Sequence, residues 1–153
     1  MHRVRQQLVV GAAALLPAFA FAHDAVHASN RTFPARTTWD SVYSADQATR
    51  GESTYAKTCS RCHKPALGGA DEAPALTGGA FMGSWNGQTL FDLHDRIRTS
   101  MPTDTPGTYS RQEIADVIAY MLKFNQFPAG KTELSIGDEE LKSIAFVSAK
   151  PGN

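Results

Sequence analysis

The chain has 153 residues, of which 42% are hydrophobic and 20% are charged. This composition is typical of one folded domain and unlike that of a disordered segment. Its 15 basic and 15 acidic residues cancel, so the sequence lacks the excess of positive charge with which proteins bind nucleic acids. We therefore expect a folded chain without a nucleic-acid partner.

The first 22 residues have the pattern of an export signal. Arg3 and Arg5 form a positively charged start, residues 8–20 are apolar, and Ala20-Phe21-Ala22 is a cleavage signal of the A-x-A type. We predict a signal peptide, 1–22, cleaved near Ala22, with Val26-His27-Ala28 as an alternative site. An uncleaved membrane anchor is the other interpretation, but the apolar run is shorter than the roughly 20 residues that a span needs. Cleavage would leave 13 basic and 15 acidic residues, a net charge of −2, and no stable membrane span.

Residues 23–43 contain Pro34 and several Ser and Thr residues without a clear period, and we predict an irregular leader. Within it, His23 and His27 could bind copper or zinc. A solvated segment is the simpler interpretation, because a lasting metal site usually has three or four protein ligands.

The first helix is predicted to begin at Ser44, with Gln47 completing a capping box. Ala48, Gly51 and Tyr55 then follow at helical spacing along one face. Because glycine costs about 1 kcal/mol relative to alanine inside a helix, Gly51 indicates that another backbone passes close by.

The helix leads into Cys59-Ser60-Arg61-Cys62-His63, a C-x-x-C-H motif typical of c-type haem attachment. Two thiols held about one helical turn apart can each add to a vinyl group of one porphyrin, and the adjoining imidazole can bind the iron. We therefore predict one haem c, bound covalently through Cys59 and Cys62, with His63 as the proximal ligand. A structural disulfide is an alternative, but so short a loop captures little chain entropy and leaves His63 unexplained. A thioredoxin-type redox pair is another, but it requires a βαβ pattern that the flanking sequence lacks.

Residues 64–87 are rich in Gly, Pro and Ala and show neither a helix nor a strand period, so we predict a long loop. A large prosthetic group would explain such a loop, because the chain can wrap around a porphyrin and use it as a core. The candidates for the apolar lining are Leu67, Leu76, Phe81, Met82 and Trp85. Ordinary packing on a small core is the alternative for each of them.

A second helix is predicted over residues 86–98, with Leu90, Leu93 and Ile97 on one side. His94 lies beside that apolar stripe. It could be a sixth iron ligand, but a half-exposed helical histidine is the simpler interpretation. The segment after the helix contains Pro102, Pro106 and Gly107 and is predicted to be non-helical.

A second capping box, Ser110 with Glu113, begins the most clearly amphipathic helix of the sequence. Its apolar positions repeat at helical spacing and comprise Ile114, Val117, Ile118, Met121 and Leu122. The helix is predicted to end before Phe127-Pro128. Residues 138–146 are a candidate for a short amphipathic helix within a C-terminal tail, 135–153.

These motifs together resemble a class I cytochrome c of the small bacterial periplasmic kind. The motifs are G-x-x-x-Y-x-x-x-C-x-x-C-H at 51–63, P-x-L at 74–76, S-M-P at 100–102 and A-D-V-I-A-Y-M-L at 115–122. The resemblance spans roughly 43–134 and implies an all-α, cytochrome c-like fold in which three to four helices wrap around a covalently bound haem. It places the cytochrome c domain at 44–134 and implies a periplasmic location. Residues 81–130 are also similar to monohaem domains associated with quinoprotein dehydrogenases.

The resemblance also implies roles for residues around the haem. The Pro74 carbonyl would accept a hydrogen bond from the His63 ring and fix its tautomer, Leu76 would complete the P-x-L motif, and Trp85 would donate its indole N–H to a propionate. The family further implies that its first and last helices cross near the haem edge.

Three methionines outside the signal peptide are candidates for the sixth ligand. Met121 lies on the apolar stripe of the last helix, where packing is the default role, and Met82 lies in the flexible loop. Met101 lies between two helices in a loop held by prolines, from which a thioether can reach the opposite haem face. With the resemblance, this predicts His63 and Met101 as the two iron ligands.

The sequence therefore predicts an electron carrier and not an enzyme, since His/Met ligation favours electron transfer and closes both axial positions. Its expected partners are a donor dehydrogenase and an acceptor oxidase or cytochrome. One alternative is a haem enzyme or gas sensor with an open sixth position. Another is a cytochrome subunit bound permanently to a quinoprotein dehydrogenase.

Overall fold

Helices make up nearly all of the regular structure in the computed structural model, which describes residues 36–71 and 73–152. The helices are α1 (Ala45–Thr58), α2 (Ser60–His63), α3 (Gly78–Trp85), α4 (Leu90–Ser100), α5 (Arg111–Phe124) and α6 (Asp138–Lys142). Two short strands, β1 (Arg36–Thr37) and β2 (Ile144–Ala145), pair in parallel. The all-α class is confirmed, with α2 and α3 as short helices beyond the three to four that the sequence predicts. The predicted signal peptide and the pair His23 and His27 lie outside the described residues.

Helices α1 and α5 cross in close contact. A Cβ atom added to Gly51 would lie 1.8 Å from the Asp116 carbonyl oxygen and 2.9 Å from the Val117 nitrogen. One turn further along, the rings of Tyr55 and Tyr120 lie 5.3 Å apart. The expectation that another backbone passes close to Gly51 is confirmed, and so is the crossing of the first and last domain helices.

Side-chain caps begin α1 and α5 at the predicted residues. Ser110 and Glu113 form the complete reciprocal box at the start of α5. At α1, the Ser44 hydroxyl accepts from the Gln47 backbone N–H, but the Gln47 side chain does not return the bond. It is buried and bonds both backbone groups of Leu134 instead, so the full capping box predicted there is wrong.

The loop predicted over 64–87 is wrong in its second half, where α3 forms. Three of the eight residues of α3 are glycine, and glycine carries a helix penalty that hides the helical period. The next helix also begins later than predicted, at Leu90, because Thr89 and Asp92 form a capping box there.

The segments on either side of the predicted domain interlock. The parallel pair of β1 with β2 joins them, and the Trp39 indole N–H donates to the Val147 carbonyl at 2.9 Å. The side chains of Leu141, Ile144 and Phe146 are almost completely buried. Of the residues predicted as leader and tail, 36–43 and 138–147 therefore contribute to the core. The predicted tail helix is shorter than expected, since α6 ends at Lys142 and β2 follows.

No helix within the described residues has the length and apolar character needed to cross a bilayer.

Candidate functional site

A cavity of about 1030 Å³ opens between α2, the following loop, α3, α4 and the segment after α4. Its volume is at the upper end of the range found for small-molecule and cofactor sites. All seven residues that the sequence predicts for the haem site line this cavity: Cys59, Cys62, His63, Pro74, Leu76, Trp85 and Met101. The fold therefore brings together residues that are up to 42 positions apart in the sequence.

The two cysteines lie at one edge of the cavity and are not bonded to each other. Cys59 is the capping residue between α1 and α2, while Cys62 lies within α2. Cys62 is exposed, whereas Cys59 is half-buried, and this burial raises the pKa of the Cys59 thiol. Both thiols are thus free to form bonds to a group in the cavity.

The His63 ring has a defined orientation. Its Nδ1 lies 2.8 Å from the Pro74 carbonyl oxygen, and because a carbonyl can only accept, Nδ1 carries the proton. The lone pair is then on Nε2, the nitrogen that can bind a metal. This contact is the one that the resemblance implies.

Gly69 allows Pro74 to approach His63. Its backbone N–H donates to the His63 carbonyl at 3.0 Å. It has a φ of +68°, and a Cβ atom there would lie 2.4 Å from the Ala73 oxygen and 2.7 Å from the Pro74 carbonyl carbon. Sequence reasoning missed this position, although a glycine six residues after the motif histidine is a signal for a tight turn.

The segment 101–109, called here the Met101 loop, forms another part of the lining. Met101 is half-buried and its N–H donates to the Ile97 carbonyl at 2.9 Å. Met121 also lines the cavity, but it is 2% exposed and belongs to the hydrophobic core. Met82 does not line the cavity, which leaves Met101 and Met121 as the thioethers that face it among the described residues.

His94 does not line the cavity, and its predicted half-exposure is wrong. The side chain is completely buried, and its Nε2 lies 3.2 Å from the Arg111 carbonyl oxygen. The physical reason is its position: with Leu90, Leu93 and Ile97 it completes an i, i+3, i+4, i+7 stripe that faces the core.

An apolar wall of the cavity is formed mainly by α3. Phe81 and Trp85 line the cavity, as does Leu76, whose carbonyl is held by the Asn125 side chain at 3.0 Å. Leu67 is instead fully buried in the core and does not reach the cavity. Three of the five residues predicted as lining therefore face the cavity, and Leu67 and Met82 do not.

Charged side chains that sequence reasoning missed also stand at the cavity. Arg61 and Arg96 line it, and Arg61 pairs with Asp104 of the Met101 loop at 2.5 Å. The position of Arg61 inside the motif could have directed attention to it, but nothing in the sequence identifies its partner.

The residues present fit a c-type haem. Two free thiols one helical turn apart, an imidazole whose Nε2 is left unprotonated, cavity-facing thioethers and an apolar wall meet in a single cavity. This donor set matches thioether attachment and axial ligation of a haem iron.

Comparison with known proteins gives two matches. Residues 46–121 match the family model described as cytochrome c oxidase, cbb3-type, subunit III. Among solved structures, the chain is similar to the sulfane dehydrogenase SoxCD from Paracoccus pantotrophus, with 22% identity and a TM-score of 0.54. The similarity covers 70% of this chain and 61% of the SoxCD chain, so this chain spans less than two thirds of the SoxCD chain. The likeness shows a shared fold. No curated protein matches.

Proposed function

From the fact that this chain is a cytochrome c of the class I type, with an all-α, cytochrome c-like fold, we propose that it shuttles single electrons. In this proposal His63 and Met101 are the two iron ligands. A domain of this type binds haem and exchanges electrons with redox partner proteins. In the proposal, one haem is attached covalently through Cys59 and Cys62.

The observation that carries the proposal is the hydrogen bond between His63 Nδ1 and the Pro74 carbonyl at the wall of the cavity. It fixes the tautomer and orients the ring so that Nε2 is the nitrogen free to bind iron. Without it the ring could rotate or bind through either nitrogen. The bound haem would supply a couple that gains and loses one electron, and thioether ligation from Met101 would raise its reduction potential.

The remaining lining residues would control access and polarity. Phe81 and Leu76 present apolar surface to the cavity and would exclude water from the haem. Trp85 is half-buried, and its indole N–H has no protein acceptor among the described residues. That leaves it available to a propionate.

Partners would dock around the exposed Cys62, since a haem attached there would lie beside that surface. Transient redox encounters bury less than about 1,200 Å² in total. We propose a dehydrogenase as donor and an oxidase or another cytochrome as acceptor, with both encounters in the periplasm. The family match to an oxidase subunit and the likeness to a dehydrogenase structure support these partner classes.

The test is an optical titration of the reduced holoprotein with carbon monoxide, which binds ferrous haem only where an axial position is open. We expect a low-spin spectrum for the wild type and for Met82→Ala, because Met82 does not face the cavity, and carbon monoxide should bind both far more weakly than it binds Met101→Ala. Met101→Ala should bind carbon monoxide readily.

Two results would contradict the proposal. Ready binding by the wild type would mean an open sixth position, as in a haem enzyme or gas sensor. If Met121→Ala binds carbon monoxide and Met101→Ala does not, the thioether ligand is Met121.

A further inference from the structure

The Met101 loop is held in place by few interactions. Its exposed part is 103–108. Among the described residues, all but one of its hydrogen bonds stay within 97–109, such as Met101 N–H to Ile97 and Thr105 N–H to Pro102. At its far end, the half-buried ring of Tyr109 packs against the core. The loop can therefore move without breaking any helix.

The one exception is the ion pair of Arg61 with Asp104. Arg61 Nη2 lies 2.5 Å from Asp104 Oδ2. Arg61 stands between the two cysteines, and Asp104 stands three residues after Met101. The pair therefore connects the motif that carries His63 to the loop that carries Met101.

The pair is exposed at both ends, with side-chain exposures of 58% for Arg61 and 55% for Asp104. Exposed ion pairs contribute little to the global stability of a protein. Loops, however, open in local equilibria that are far less costly than global unfolding. If the ion pair forms only in the closed loop, its whole free energy is added to the free energy of opening the loop.

We propose that Arg61 and Asp104 are positioning residues that keep the Met101 loop closed and so keep the Met101 thioether on the iron. The inference rests on the proposed function, because it requires Met101 to be the sixth ligand. Neither side chain touches the iron; the pair acts through the loop that carries Met101.

A measurable consequence follows from the ligand exchange. Carbon monoxide can bind only when Met101 has left, so its apparent affinity is proportional to the small open fraction of the loop. The strength typical of an exposed pair corresponds to a change in that fraction of about 1.5- to fivefold. Because salt screens exposed charges, the change should disappear at about 1 M salt.

The experiment compares the carbon monoxide affinity of the reduced holoprotein for wild type, Arg61→Gln, Asp104→Asn and the double variant. At low salt, each single variant should bind about 1.5- to fivefold more tightly, and the double variant no more tightly than either. The charge swap Arg61→Asp with Asp104→Arg should restore the wild-type affinity. Haem absorbance per chain verifies that Arg61 variants still attach the group.

Asp95→Asn is the matched control, because it breaks the exposed pair of Asp95 with Arg98 within α4. It removes the same kind of charge without loosening the Met101 loop, and it should leave the affinity unchanged. Additive single effects, an equal effect of Asp95→Asn, or no effect at all would overturn the inference. In each of these cases the proposed function still stands if the wild type binds carbon monoxide far more weakly than Met101→Ala does. If the wild type binds as tightly as Met101→Ala, the proposed function fails and this inference fails with it.

Discussion

Two parts of the cavity lining differ in what stands behind them. Behind α3, Phe81 packs edge-on against Phe146 with ring centroids 5.7 Å apart. Phe146 contacts Phe127 at 5.4 Å, and Phe127 contacts Trp39 at 4.7 Å. The Met101 loop has no such layer, since 103–108 face solvent. One wall is thus part of the core, and the other is tied by the pair of Arg61 with Asp104.

The difference separates two tasks of the chain. The α3 wall, which in the proposed function would exclude water, is fixed by burial in the core. The Met101 loop, which would present the sixth ligand, is fixed by local interactions, which can open while the core stays intact. Two of the three rings behind α3, those of Trp39 and Phe146, come from segments that flank the predicted domain, so those segments contribute to the rigidity of the wall.

Phe146→Ala should produce the largest effect, because it removes the ring on which the α3 wall rests. Phe146 is completely buried, and truncation of a buried phenylalanine costs about 4 kcal/mol of unfolding free energy. Urea denaturation of the holoprotein measures the loss. Phe124→Ala is the control, since Phe124 is 36% exposed and should cost less than about 1 kcal/mol. Equal losses for the two variants would mean that the aromatic layer does not support the wall.

Gly51→Ala tests whether the part of the cavity lining that α5 contributes is as rigid as the α3 wall. Helix α5 contributes Val117 and Met121 to the lining, and Gly51 of α1 lies against the backbone of α5. An added Cβ atom would lie 1.8 Å from the Asp116 oxygen, so the helices must separate, at a cost of about 3 kcal/mol.

The control for this substitution is Gly83→Ala in α3, where nothing lies within 4 Å of an added Cβ atom. Alanine there should stabilise the protein by up to about 1 kcal/mol through helix propensity. Urea midpoints of the two variants should therefore shift in opposite directions. A Gly51→Ala variant as stable as the wild type would show that the crossing is compliant.

Local signals in the sequence predicted much of this architecture. The sequence correctly predicted the apolar face and the capping box of α5, because periodicity and caps depend on neighbouring residues. It also predicted the close helix contact at Gly51, because a glycine inside a helix is itself a local signal. The three glycines of α3 concealed a helix, since that helix is stabilised by packing of Phe81 and not by propensity. The contacts of residues 36–43 with 138–147 could not be predicted, because no local pattern encodes pairing over about 110 positions.

The same limit applies to the site. The C-x-x-C-H motif names its own three residues, and the resemblance supplied Pro74, Trp85 and Met101. The pair of Arg61 with Asp104 spans 43 positions and depends on how two loops meet. His94 was misjudged from its residue type, although its spacing placed it on the buried stripe.

His94 lies on α4 and contacts the Arg111 carbonyl at the start of α5, and it predicts a small pH effect. Its side chain packs against the start of α5, the helix that follows the Met101 loop. Its Nδ1 lacks a hydrogen-bond partner among the described residues. The pKa of His94 is lowered, chiefly by burial of the side chain and further by the charges of Arg111 and Arg98. The hydrogen bond to the Arg111 carbonyl and the charge of Asp138 act in the opposite direction but do not cancel this effect.

The sign follows from which state binds the proton. The unfolded chain takes up a proton near pH 6.5, while the folded chain takes it up only at lower pH. Stability is therefore unaffected by His94 above that pH and declines as the pH falls from about 6.5 toward the folded pKa. The slope is at most about 1.4 kcal/mol per pH unit for one proton. His94→Gln should abolish this part of the decline, since its amide can still donate to the Arg111 carbonyl but does not titrate. Urea unfolding at pH 5 and pH 7.5 measures it, and parallel declines in both proteins would assign the effect to another group.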